Sequence, residues 1–84
     1  MKQNPVLKET ILQVVENQLR DDDPPETRIT FNRLISEGYS EKDAKKLIGC
    51  AVTSEIFNVL KNKKEFAHQR YVQALKNLPE LPWE

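Results

Sequence analysis

A chain containing "SEKDAKKLIGCAVTSEIFNVLK", residues 40–61, has few ways to fold. Ala44, Ile48, Ala51, Val52 and Val59 recur at helical spacing and fan around one side of a single α-helix. Ser40 stands where an N-cap belongs, with Asp43 at the reciprocal capping-box position and Tyr39 placed to staple onto Ala44. The spacing therefore predicts a helix over about 40–61. A helix of that length in 84 residues has to be the central element around which the rest packs.

The remaining segments are helical too. Asn4 and Pro5 read as an N-cap followed by proline at the first helical position. Leu7, Ile11, Leu12, Val14, Val15 and Leu19 then form a broad apolar stripe, so a first helix spans about 5–20. "DDDPPE" stops it. Asp23 is the expected cap of a second helix over about 24–37, with Pro24 at its first position, Glu26 as the box partner, and Ile29 or Phe31 buried with Leu34 and Ile35. Gly38 supplies the left-handed residue that ends it. After the polar "KNKKE", a fourth helix covers about 66–77 and turns Phe66, Tyr71, Val72, Leu75 and then Leu78 inward. No strand-like alternation and no repeat interrupts this pattern. The expected fold is all-α: one domain over 1–84, a compact bundle of four helices.

The last residues, "LPELPWE", pose a separate question. Pro79–Glu80–Leu81–Pro82 has the spacing of extended recognition peptides, which dock in an exposed, pre-extended form. The favoured expectation is instead a strap, in which Pro79 ends the fourth helix and Leu81 and Trp83 cover an apolar seam. A chain this small has little core to spare, and this is its only tryptophan.

Composition narrows the function classes. Thirteen basic and thirteen acidic residues balance, so no global field draws the chain to nucleic acid. The charge is nonetheless uneven, with three basic and six acidic residues in 1–26 against ten and five in 27–78. No apolar run suits a membrane span and the first residues carry no signal-peptide core. The single cysteine, Cys50, allows no internal disulfide. The expected location is cytoplasmic.

Candidate chemistry is sparse. Cys50 and His68 are the only copies of their kinds, and Cys50 sits mid-helix in "LIGCAV", where a thiol packs as a small hydrophobe. Asp21, Asp22 and Asp23 are consecutive, and prolines separate them from Glu26, unlike the alternating ligands of a calcium loop. No phosphate-binding glycine loop or metal-ligand spacing is present, so no catalytic residue, metal or cofactor is expected. Glu55 stands out because it falls inside the apolar fan of the third helix. A carboxylate there needs a partner, with the tyrosines, Arg33 or the Trp83 indole as candidate donors. Gly49, beside Cys50, Ala51 and Thr53, permits close approach of another helix, from the same chain or a second copy. Lys42, Lys45 and Lys46 cluster at the start of the third helix and suggest a helix-turn-helix alternative, although Glu41 and Asp43 interleave with them.

Two resemblances bear on these residues. "LISEGYSEKDAKKLI" resembles the first loop of ubiquitin-associated domains, which implies a shallow protein-binding patch lined by Gly38, Tyr39 and the end of the third helix. From about residue 24 to the end, with "EGYS", "LIG" and "LPELPWE" carrying the likeness, the chain is similar to a group of small bacterial all-helical proteins classed as a domain of unknown function. That likeness implies a bacterial, cytosolic, helical protein and brings no catalytic residues. The expected function is a non-enzymatic module for protein–protein contact or homodimerisation. The alternative is a nucleic-acid-associated regulator using Lys42, Lys45 and Lys46. The candidate surface is Gly38, Tyr39, these lysines and Trp83, with Glu55 as the candidate buried polar site.

Overall fold

The computed structural model describes residues 5–62 and 65–83, with side chains from residue 8 onward. The expected Asn4 cap, the Leu7 side chain, Lys63 and Lys64 lie outside that set. The described residues form four helices and no strand: α1 (Pro5–Asp21), α2 (Pro25–Ser36), α3 (Glu41–Asn62) and α4 (His68–Asn77). The all-α bundle read from the sequence is the observed architecture, and α3 touches each of the other three helices.

The corners follow local chemistry. Ser40 Oγ accepts from the Asp43 backbone N–H at 3.1 Å, so the predicted cap of α3 is in place. Gly38 sits at φ 103°, where only glycine is unstrained. Its N–H donates to the Ile35 carbonyl at 3.0 Å and the Tyr39 N–H to the Leu34 carbonyl at 3.1 Å, the paired bonds of a Schellman C-cap. The start of α2 differs from expectation. Pro24 rather than Asp23 is the N-cap, no side chain caps it, and Pro25 opens the helix. The aspartate run closes α1 instead: Asp22 takes a left-handed φ of 51° and the Asp23 N–H donates back to the Gln18 carbonyl at 3.1 Å. Aspartate tolerates that conformation better than most residues, which explains its place here.

The core is continuous. Val15 and Leu19 of α1, Phe31 and Leu34 of α2, Ala44, Ile48, Ala51 and Val52 of α3, Tyr71 and Leu75 of α4, and Leu78 pack together. α1 and α3 run antiparallel, because Lys45 pairs with Glu16 and Gly49 meets Ile11. A β-carbon on Gly49 would lie 3.2 Å from Ile11 Cγ2, so the small residue admits α1 of the same chain. α2 and α4 run parallel, with His68 opposite Glu26 and Arg33 reaching the Leu75 carbonyl at 3.1 Å.

Several inward assignments need correction. Phe31 is buried on α2, whereas Ile29 and Ile35 face outward: a helix this short buries one stripe, and Thr27, Thr30, Phe31 and Leu34 occupy it. α4 starts at His68, not 66, and Phe66 lies exposed ahead of it, its ring tilted against Tyr71 at 5.6 Å between centroids. The strap is only half formed. Leu78 is buried and Leu81 and Pro82 are half-buried, but Trp83 remains 60% exposed. Tyr71, Leu75 and Leu78 are the buried residues of this part of the chain, and the indole stays in solvent.

Candidate functional site

Glu55 is where polar chemistry enters the core. It lies on the buried side of α3 and is 2% exposed, as its place in the apolar fan predicts. Its donors are not the expected tyrosines, Arg33 or Trp83. Arg70 grips it with a fork, Nη2 to Oε1 at 2.6 Å and Nε to Oε2 at 2.9 Å, and the Ala67 backbone N–H donates to Oε1 at 3.0 Å. Ala67 is the N-cap of α4 and has no side-chain cap of its own. The carboxylate therefore satisfies a donor at the helix entrance and lies near its positive end. Arg70 holds the Glu55 carboxyl below the usual carboxylate range, against the opposing effect of burial. A carboxylate held by a guanidinium fork and a backbone N–H fastens α3 to α4. Arg70, in the first turn of α4, carried no signal of this role because its fifteen-residue separation from Glu55 is bridged only by folding.

A second polar junction sits nearby. Gln18 Oε1 accepts from Thr27 Oγ1 at 2.8 Å and from the Tyr71 hydroxyl at 2.7 Å, joining α1, α2 and α4 at one atom. Arg28 completes the α1–α2 seam by donating to the Leu19 carbonyl at 2.9 Å and lying over the Phe31 ring. These bonds satisfy groups that burial would otherwise orphan.

The other candidates are not assembled into a reactive centre. Cys50 is half-buried and its thiol is pushed up by burial, the opposite of the lowered value a nucleophile needs. His68 lies at the start of α4 with Nε2 3.8 Å from Glu26 Oε2. Asp21 pairs with Arg20 and Asp22 approaches Arg28, so the aspartate run is held by local arginines. Among the described residues, no three of His, Cys, Asp and Glu come together in a way that could hold a metal ion. A groove of about 240 Å³ opens between α1, α2 and the start of α3, floored by Leu19 and Phe31. Of the charges that line it, Lys45 pairs with Glu16, Arg28 approaches Asp22 and Arg20 pairs with Asp21.

The basic cluster is divided. Lys42 and Lys46 are exposed, while Lys45 is spent on Glu16 of α1. Gly38 is exposed and Tyr39 is half-buried against the core, so the loop surface implied by the ubiquitin-associated resemblance has a single half-covered ring.

The outstanding surface is elsewhere, on the last turns of α3. Ile56 is 40% exposed, Phe57 64% and Leu60 70%. With half-buried Thr53 they follow the i, i+3, i+4, i+7 pattern of one helix face, opposite the side that carries Glu55. From Leu47 to Leu60 the only charged residue is Glu55, which is turned inward onto Arg70. The outward side of α3 from Thr53 to Leu60, about two turns, thus presents no charge, in a chain whose residues are 31% charged. Reading the core stripe first hid this second one, although the spacing 53, 56, 57, 60 was present in the sequence.

Among the described residues, no helix is long and apolar enough to cross a membrane. No family model, curated protein or solved structure matches the chain, so a functional reading rests on its own geometry.

Proposed function

We propose that this protein is a non-enzymatic helical module that works by protein–protein contact, with the C-terminal half of α3 as its docking face. One observation carries the reading: Ile56, Phe57 and Leu60 stand outward in a single apolar, charge-free stripe while α3's opposite side is packed into the core. Monomer surfaces scatter such residues singly, and contiguous exposed apolar patches mark contact sites. The absence of charge matches the composition of interface centres, where charged residues are depleted and aromatic anchors enriched. The bacterial, cytosolic setting implied by the sequence resemblance is part of this proposal. The lysine cluster supports a nucleic-acid reading less well, because Lys45 is committed to Glu16 and Glu41 and Asp43 flank the exposed pair.

A photo-crosslinking residue at position 57, introduced into the full chain in cells that express it, tests the reading. Discrete adducts are expected from position 57, should fade when Leu60 is changed to Glu, and should not form from position 42. Equal or no adducts from both positions would remove the assignment of this face.

A further inference from the structure

We infer that the occupant of this face is a second copy of the same chain, with the two α3 helices crossing antiparallel about a two-fold axis at Phe57; this rests on the docking reading above. The argument is electrostatic and geometric. A stripe without charge has no field with which to select an acidic or basic partner, and it meets its own copy at no like-charge cost. Isologous contact needs only one patch, and one apolar stripe is what α3 offers.

The direction follows from where the charges resume. Lys42, Lys45 and Lys46 precede the stripe and Lys61 follows it. A parallel pairing would set Lys61 against its own copy. In the antiparallel arrangement centred on Phe57, each Lys61 lies at the level of the partner copy's Thr53, because both are four residues from the axis. Thr53, Ser54 and Asn58 border the stripe with uncharged polar groups, and a rim of that kind tolerates close approach. The cluster Lys42–Lys46 of each copy falls well beyond the end of the other helix. Among the described residues of α3, no like charges are brought to the same level across the contact.

The patch is small. Residues 50–61 span about 18 Å of helix. An interface built on it falls at the low end of specific contacts, about 1,200 Å² in total or less, and so forms a weak, concentration-dependent dimer with a dissociation constant of about 1 µM or weaker.

Sedimentation velocity on the purified full chain from about 1 µM to about 1 mM tests the inference. The expected result is a reversible monomer–dimer shift. Phe57→Glu and, separately, Leu60→Glu should each weaken it by roughly 30-fold or more, as loss of a central anchor does. Circular dichroism melts of both variants should match the parent, since both side chains are exposed. The orientation has its own readout: Thr53→Glu should tighten the dimer by about two- to five-fold through the opposing Lys61, and Thr53→Lys should weaken it. A parent chain that stays monomeric at the highest concentration overturns the second-copy inference. Adducts at position 57 with a different protein would then leave the docking reading standing, and loss of both results ends both. Dimerisation unaffected by either glutamate variant overturns the assignment to α3, and equal effects of Thr53→Glu and Thr53→Lys overturn the antiparallel geometry.

Discussion

The apolar residues in the two halves of α3 have opposite fates. Over Glu41–Val52 the apolar side is covered: Ala44, Ile48 and Ala51 are inaccessible to solvent, Gly49 receives Ile11, and Lys45 is tied to Glu16. Over Thr53–Asn62 the inner side is held by Glu55 and its bonds to α4, while Ile56, Phe57 and Leu60 face outward. Hydrophobicity alone does not decide which apolar residues build the core. What decides is whether another element reaches them. The first half serves stability, and the second carries apolar surface that the described fold leaves open.

Perturbing each half should expose this division, beginning with the largest effect. Ile48→Ala in the enclosed half should cost about 3–4 kcal/mol and lower the melting temperature by more than 10 °C, roughly, in a domain of this size. Glu55→Gln should cost about 2–3 kcal/mol in chemical denaturation, because it strands Arg70 and weakens the bond at the entrance to α4; the half-exposed guanidinium keeps the loss below that of a fully buried pair. The acid limb of stability carries the same signature. The folded Glu55 carboxyl lies below its unfolded value, so its contribution is fully present above about pH 4.3 and disappears as pH falls through the lowered folded value. Glu55→Gln should therefore show a shallower loss of stability below about pH 4 than the parent. Gly49→Leu should cost about 1–3 kcal/mol by driving α1 off α3, measured as a lower denaturation midpoint. At the bottom of the scale, Leu60→Ser should change monomer stability by no more than about 0.5 kcal/mol. A loss of about 2 kcal/mol there would mean that the open half is core after all.

Much of the fold was legible because local rules govern it. Ser40 and Gly38 mark the α2–α3 corner by backbone chemistry that needs no tertiary information, and the apolar period of α3 fixes its inner side. What escaped the sequence was set by long-range contact. Asp23 has the composition of an N-cap, yet the chain used Asp22 to close α1 and left α2 capped by proline. Trp83 was expected inside on the ground that a small core uses its largest residue, but the buried residues of this part of the chain are Tyr71, Leu75 and Leu78. Glu55 was legible as buried and its partner was not, because Arg70 becomes a neighbour only after α4 folds back. The outward stripe of α3 was legible in spacing but not in exposure, since an apolar face looks the same whether or not a helix covers it.

The central claim is that Phe57 is dispensable for folding and required for association. Phe57→Glu therefore tests it most directly, with thermal melting and sedimentation measured on the same preparation. The account predicts an unchanged melting temperature at low concentration and loss of the dimer at high concentration. A variant that unfolds, or one that associates as the parent does, would contradict it.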